Sequence, residues 1–248
     1  LDVIKNPLLS LKQEQERAFF LLFERRLKGE PLGRILGQRS FHGLNFLLNA
    51  ATLEPRDDTE AVLELLIPLL HSWVKETGCV HFVDMGTGSG AIAIAALYHV
   101  PQAYAIGLDK SAAALEMAQK NALNAGVAER FSPCLSDWFK NLTGEFSVIV
   151  SNPPYIESQH IAQLAPEVKN YDPIAALDGG CDGLRFYRSL AAESSNFLIA
   201  KGSVIVEIGF NQEKSVATIF NQHGFNLVQK QKDLCGITRA LAFKKTAL

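Results

Sequence analysis

Ser151-Asn152-Pro153-Pro154-Tyr155 is the stretch of this chain whose residue types bear most directly on chemistry. It follows Phe146-Ser147-Val148-Ile149-Val150, an apolar run with the character of a buried strand. Neither proline has an N–H to give to a ladder, so the pair ends the strand and leaves a stiff turn. That turn presents the Asn152 amide, the Pro153 carbonyl and the Tyr155 ring. Asn152 Oδ1 and the Pro153 carbonyl are two acceptors side by side, which suits a substrate –NH2 with its two donors. Tyr155 adds a flat face for a planar group. An ordinary strand-ending turn draws on the same residue types, so the surrounding elements must decide.

A second stretch is Asp84-Met85-Gly86-Thr87-Gly88-Ser89-Gly90-Ala91, between an apolar run and a helical pattern. Glycines let a backbone turn tightly and approach a ligand closely. Asp109 ends the following strand, roughly 20 residues beyond the loop, where an acid accepts both hydroxyls of a ribose. A nucleotide-type ligand on Gly86, Thr87, Gly88, Ser89, Gly90 and Asp109 is therefore expected. The spacing also satisfies Gly-x-Gly-x-x-Ala, so a nicotinamide or flavin dinucleotide is a rival.

The elements that must position these stretches alternate regularly. Strands are predicted at 80–85, 103–108, 131–135, 146–150, 204–208, 225–230 and 240–244. Helices are predicted from 91, at 112–124, within 183–200 and at 213–223. Such alternation implies a mostly parallel sheet covered on both faces. The last two strands have no helix between them and are expected to pair antiparallel. Before this unit, residues 12–28 read as a helix stopped by Gly29 and Pro31, and the apolar runs around His42-Gly43 as a β-hairpin. Glu54-Pro55-Arg56-Asp57-Asp58-Thr59-Glu60 leads into a helix at 60–76, which Asp57 or Asp58 is expected to cap. That reading gives no task to Arg56, for which a functional role is the alternative. Glu167, Asp172, Asp178 and Asp182 read as a solvated loop, with shaping of a substrate entrance as the alternative.

Composition narrows the class. The chain has 248 residues, 48% hydrophobic and 20% charged, which fits one sizeable soluble domain with at most a small appendage. With 24 basic against 26 acidic residues it shows no overall basic excess of the kind a nucleic-acid-gripping domain carries. Cys79, Cys134, Cys181 and Cys235 are scattered, with no metal-type spacing to one another or to the histidines, so no metal and a reducing, cytoplasmic setting are expected. No signal peptide or membrane span is read. The first residue is Leu1 rather than Met, so a trimmed chain is expected.

Two features favour S-adenosylmethionine over a dinucleotide. Gly86-x-Gly88-x-Gly90 behind Asp84 resembles the first motif of class I methyltransferases, and Asp109 resembles their second. Ser136-Asp137-Trp138 ends the third strand, where such enzymes hold the adenine. Asp137 is suited to accept from the exocyclic amine and Trp138 to pack on the ring, though core packing alone also explains a tryptophan. With Asn-Pro-Pro-Tyr at 152–155 the resemblance is to amino-methyltransferases. Glu30-Pro31-Leu32, Leu36-Gly37, Phe41-His42-Gly43, Pro55-Arg56-Asp57-Asp58-Thr59-Glu60, Tyr171-Asp172-Pro173, Gly179-Gly180, Asp182-Gly183-Leu184 and Asp233-Leu234-Cys235-Gly236 extend it over nearly the whole chain. Together they resemble the HemK/PrmC family, N5-glutamine methyltransferases of the Gly-Gly-Gln loop in class I peptide-chain release factors.

The resemblance implies an α/β fold of the class I S-adenosylmethionine-dependent methyltransferases: a Rossmann-like, seven-stranded, mostly parallel sheet with an antiparallel last strand. A β-hairpin and a partial N-terminal helical domain would precede it. It implies a substrate-docking helical part at 1–30, a hinge with the hairpin at 31–57 and a catalytic domain at 58–248. Only the last helix or two of the family's docking domain is expected here. The catalytic residues would be Asn152, Pro153, Pro154 and Tyr155, with Asn152 also touching the cofactor. Asn152 and the Pro153 carbonyl would hold the glutamine amide's two N–H groups, Tyr155 would pack on its plane, and S-adenosylhomocysteine would be left. The partner would be the release factor, met by a monomer with no nucleic acid or membrane involved. Two places, three residues in all, depart from the family's usual pattern: Glu54 stands for an aliphatic residue, and Gly33-Arg34 for Ala-Tyr. Rivals are a ribosomal-protein glutamine methyltransferase, a DNA adenine-N6 methyltransferase and a dinucleotide-dependent oxidoreductase or inactive binding module. The adenine enzyme would need to extrude its base, usually with an added recognition domain. The residues after Tyr155 are mostly taken up in completing the sheet.

Overall fold

The computed structural model describes residue 10 and residues 12–246. Of the expected N-terminal helical part, residues 1–9 and 11 lie outside the described residues. The first helix among the described residues is α1 (Gln13–Leu27), which buries none of its side chains. Its apolar residues include the unbroken run Phe19 to Phe23, which wraps around the helix instead of making one stripe, and all five are exposed. A short helix α2 (Leu32–Leu36) ends on Gly37 in the left-handed conformation. Strands β1 (Gln38–Phe41) and β2 (Leu44–Leu47) form the expected hairpin. Both residues of its two-residue turn, His42 at φ 47° and Gly43 at φ 77°, are left-handed, which matches the twist of the strands.

Helix α3 (Glu60–Thr77) is not capped by Asp57 or Asp58. Asp57–Thr59 is a turn of 3-10 helix, and Thr59 stands at the cap position without a side-chain cap bond. The two carboxylates go to cations instead, Asp57 to Arg39 at 3.0 Å and Asp58 to Arg239 at 2.8 Å. Both carboxylates are drawn to these cations rather than to the first amides of the helix.

The main unit then follows as β3 (Val80–Met85), α4 (Ala91–His99), β4 (Ala103–Asp109), α5 (Ala112–Asn124), β5 (Phe131–Leu135) and β6 (Phe146–Ser151). A short α6 (Pro166–Lys169) and α7 (Arg185–Glu193) lead to β7 (Leu198–Glu207), α8 (Glu213–Gln222), β8 (Phe225–Lys232) and β9 (Thr238–Lys245). The seven strands lie in the order β5-β4-β3-β6-β7-β9-β8. The pairings from β5 through β7 are parallel, and β9 slots antiparallel between β7 and β8.

The pleat divides the core. Phe82 faces one side of β3 and packs with Leu63, Leu66 and Leu70 of α3, Ile94 and Leu97 of α4, and Ala118 of α5. Val83 and Met85 face the other side, with Tyr187 and Leu190 of α7 and Val216 and Phe220 of α8. A strand with both faces covered needs apolar residues in sequence, which is why these strands read as runs and not as alternation. No helix among the described residues is long and apolar enough to cross a membrane.

Candidate active site

The strand order reverses beside β3. The chain steps outward through β4 and β5, then returns to lay β6 against the opposite edge of β3. The carboxyl ends of β3 and β6 therefore flank the switch point, where open α/β sheets form a crevice. The glycine loop leaves β3 there, and the Asn-Pro-Pro-Tyr turn leaves β6. Met85 and Ser151 are register partners, and the Ser151 hydroxyl donates to the Met85 carbonyl at 2.7 Å. The two stretches are thus fastened together at their roots.

Asp84 organises the glycine loop from below. It is 1% exposed, and its Oδ2 accepts from the Thr87 hydroxyl at 2.7 Å and the Ala93 amide at 3.3 Å. Its Oδ1 is buried without a partner, and burial pushes its pKa up to about 7. Gly86 has φ 73° and open space where a Cβ would stand, so the backbone is bare toward the crevice. Gly90, at φ 82°, has no such room: a Cβ would meet Ile94 Cδ1 at 2.5 Å, so this glycine lets α4 pack onto its own loop. Asp109 crosses from β4 to close the far side. Its two oxygens accept from the Gly88 and Ser111 amides, each at 2.9 Å. The carboxylate is held in place yet keeps lone pairs toward the cavity it lines.

The cavity has a volume of about 290 Å³. Thr87, Gly88, Ser89 and Asp109 lie along one wall. Ser136, Asp137 and Trp138 lie along another, after β5. Trp138 adopts φ 55°, and its ring stacks on Phe186 with centroids 4.6 Å apart and an angle of 26°. Asp137 pairs with Lys140, which holds its carboxyl below the usual range. Asn152, Pro153 and Pro154 form the third wall. The Asn152 Nδ2 donates to the Thr59 hydroxyl at 3.2 Å, so Oδ1 is the free end of that amide.

Of the expected cofactor residues Gly90 is not in the cavity lining, and of the expected catalytic residues the exception is Tyr155. It does not line this cavity; its ring lies against Gly209, and its hydroxyl donates to Glu207 Oε1 at 3.2 Å. Burial holds its pKa well above the phenol range. It borders a second concavity with Asp182 and Phe210. The side chains at 152 and 155 diverge because the prolines between them redirect the chain, a turn geometry that residue types alone do not fix.

Sequence reasoning missed other contributors. Thr59 and Phe186 line the cavity, and so does Arg56, whose role residue types alone leave open. Glu207 is 1% exposed, and burial pushes its pKa up to about 7. An acid inside Val204-Ile205-Val206-Glu207-Ile208 was the available signal. The four loop acids are not alike. Asp172 is buried against Arg34 and Arg56, whereas exposed Glu167 meets Arg26. Asp178 accepts from the Ser158 hydroxyl, and Asp182 pairs with Arg188. No group of His, Cys, Asp and Glu that would hold a metal occurs among the described residues.

The arrangement offers a nucleoside-sized ligand a diol acceptor at Asp109, an aromatic wall at Trp138 and Phe186 and a rim acceptor at Asp137. A pair of acceptors, Asn152 Oδ1 and the Pro153 carbonyl, stands at the other end.

Comparison with known proteins agrees with this geometry. The family model for the methyltransferase small domain matches residues 63–168. The release factor glutamine methyltransferase of Agrobacterium fabrum is 48% identical over 244 residues, 98% of this chain and 84% of that protein. The protein of the same name from Bradyrhizobium diazoefficiens is 43% identical, over 90% of this chain and 75% of its own length. Among solved structures, the ribosomal protein L11 methylase of Lactobacillus delbrueckii subsp. bulgaricus superposes with a TM-score of 0.58 at 20% identity, covering 80% of this chain and 83% of that one. A methyltransferase from Pyrococcus furiosus superposes at 0.57 and 16% identity, over 95% of this chain and all of its own. At such identities the structures speak for the fold, which is that of the class I methyltransferases.

Proposed function

This chain belongs to the release factor glutamine methyltransferase family, and on that premise we propose that it methylates the side-chain amide nitrogen of the glutamine in the Gly-Gly-Gln motif of class I peptide-chain release factors. The observation that carries the reading is the Asn152 amide, its Nδ2 tied back to Thr59 and its Oδ1 free beside the Pro153 carbonyl.

The cavity fits S-adenosylmethionine. Asp109 would accept the ribose hydroxyls, the stacked pair of Trp138 and Phe186 would form the aromatic wall beside the adenine, and Asp137 would accept from its amine. The bare backbone at Gly86 and Gly88, with Thr87 and Ser89, would receive the rest. Bound there, the cofactor supplies an electrophilic methyl group and leaves as S-adenosylhomocysteine.

A glutamine amide nitrogen is a weak nucleophile because its lone pair is shared with the carbonyl. Asn152 Oδ1 and the Pro153 carbonyl would each take one of its N–H groups, fixing the nitrogen's direction and drawing electron density onto it. Pro153 and Pro154 keep that pair of acceptors stiff. Tyr155, anchored on Glu207, would hold the far end of the turn. The nitrogen's extra proton is acidic once methyl transfer has occurred, so no strong base is required.

The reading extends to organisation. Residues 1–30 would belong to a helical docking part, 31–57 to a hinge and 58–248 to the catalytic domain. The enzyme would work as a cytoplasmic monomer, without a metal and without contacting nucleic acid itself. The test is methyl transfer from labelled S-adenosylmethionine to purified release factor, to the same factor with its Gly-Gly-Gln glutamine replaced, and to duplex DNA. Label is expected in the unaltered factor alone; label in the altered factor or in DNA would overturn the reading.

A further inference from the structure

An amide's oxygen and nitrogen ends have the same shape, so which end of Asn152 faces the cavity depends on the hydrogen-bonding sense of its partner. That partner is the Thr59 hydroxyl, 3.2 Å from Nδ2 and 4% exposed. A hydroxyl can accept or donate, so Thr59 alone does not settle the orientation. Something behind it must.

Behind it is Glu207, at the carboxyl end of β7 and 1% exposed. Burial raises the pKa of this carboxylate, and the Thr59 hydroxyl beside it partly opposes that rise. Glu207 Oε1 accepts from the Tyr155 hydroxyl at 3.2 Å, while Oε2 is buried and makes no hydrogen bond, an open acceptor beside Thr59. The nearby Arg239 is already engaged by Asp58 at 2.8 Å and Asp233 at 2.9 Å. The backbone carbonyl of residue 207 takes the Tyr187 hydroxyl at 2.8 Å. Tyr155 is thus the one hydroxyl bonded to the carboxylate, and Thr59 is the other hydroxyl beside its open oxygen.

We propose that Glu207 is a positioning residue that acts through Thr59 to keep the Asn152 oxygen turned toward the substrate amide. The inference rests on the reading of Asn152 given above. An ionised carboxylate only accepts. It takes the one hydrogen of Thr59, which leaves that oxygen able only to accept from Asn152 Nδ2. The amide is then locked with Oδ1 outward. If Glu207 is given a hydrogen, the chain runs in either direction. Thr59 then donates to Asn152 Oδ1, Nδ2 swings into the cavity, and a donor meets the substrate's donors. Protonation makes that change reversibly. The groups facing the carboxylate are Tyr155 after β6, Tyr187 on α7, Arg239 on β9 and Asp58 before α3. The two tyrosines, raised further by burial, stay neutral around pH 7 and Arg239 stays charged, so Glu207 titrates among them there.

The experiment measures turnover, cofactor affinity and melting temperature for the full chain and for Asn152→Ala, Thr59→Val, Thr59→Ser and Glu207→Gln, with labelled S-adenosylmethionine and release factor. Thr59→Val and Glu207→Gln are expected to lower kcat by about 10–100-fold, with cofactor affinity and folding close to wild type. Thr59→Ser, which restores the hydroxyl, is expected to recover most of the rate. Wild-type kcat should fall as pH drops through about 7, and this limb should be absent in Glu207→Gln. Wild-type turnover in Thr59→Val and Glu207→Gln, with Asn152→Ala inactive, would overturn the inference and leave the reading of Asn152 standing. An active Asn152→Ala would overturn that reading itself. If Glu207→Gln does not fold, the wild-type pH profile and the Val–Ser pair at Thr59 still decide.

Discussion

Arg34 donates to Asp172 across 138 residues of sequence, at 2.7 Å, with side-chain exposures of 8% and 1%. The same guanidinium reaches the carbonyls of Asn49 and Thr52, and Asp172 also receives Arg56 at 2.6 Å. One ion pair therefore joins α2, the segment after the hairpin and the long loop after β6. Arg56 carries this junction to the cavity wall.

Asp172→Ala removes the charge and leaves Arg34 buried without its counterion. Breaking such a pair costs about 3–5 kcal/mol, and the half-exposed Arg56 contributes little of that. A fall in melting temperature of about 10 °C is expected for a chain of this size. Asp172→Asn, which keeps the shape, should fall less. Melting curves for both variants check this, and an unchanged curve for Asp172→Ala would contradict it.

Gly33 and Glu54, two of the residues that depart from the family pattern, are complementary. A Cβ on Gly33 would stand 2.5 Å from Glu54 Oε1, and Glu54 is 6% exposed and 3.6 Å from Arg39. The missing methyl group makes room for the buried carboxylate. Gly33→Ala should destabilise the wild type by about 1 kcal/mol or more through overpacking. In a Glu54→Ala background it should stabilise by about 0.5–1 kcal/mol, because alanine is the better helix former. Denaturant unfolding of the four proteins in this cycle tests the change of sign.

Asp109 fixes the Gly88 amide and presents its carboxylate to the cavity. Removing a charged acceptor of this kind costs about 1.5–3 kcal/mol. Asp109→Ala should therefore weaken S-adenosylmethionine binding by about 10–100-fold, while kcat at saturating cofactor stays near wild type. Titration calorimetry and saturation kinetics separate the two quantities.

Asp84 makes stability depend on pH. Its folded pKa is about 7, against an ordinary value of about 3.9. Between those values the folded chain keeps a proton that the unfolded chain has released. Stability is thus greatest below the ordinary value and declines as pH rises through about 7. Glu207, raised in the same way, adds to the slope. Asp84→Asn cannot titrate, yet its side chain still accepts from Thr87 and Ala93. Its melting temperature should gain on the wild type from pH 5 to pH 8, and a constant difference across that range would exclude the assignment.

The alternation of strand and helix was legible because buried parallel strands are written as apolar runs, and β3 and β5 begin and end where the residues change character. The glycine loop, Asp109 and Asp137-Trp138 were legible too, since each depends on residue type at the end of a strand. The hairpin followed from His42-Gly43, where a left-handed pair is cheap. The cap at α3 was misread because Asp57 and Asp58 had distant cations to choose, and Arg39 and Arg239 are near them only in the folded chain. The loop acids were unequal for the same reason: nothing local separates Asp172 from Asp178.

The elements, their class and the residues that end the strands follow from the chain's order of residues, because they depend on local spacing and on what each side chain can donate or accept. The tertiary structure alone decided which way those groups point. It brought Thr59 to Asn152 across 93 residues and Tyr155 to Glu207 across 52. It also took Tyr155 out of the cavity and left Phe186 against Trp138. Hydrogen-bond sense and burial belong to neighbours in space, and the strand order that makes β3, β6 and β7 adjacent sets those neighbours.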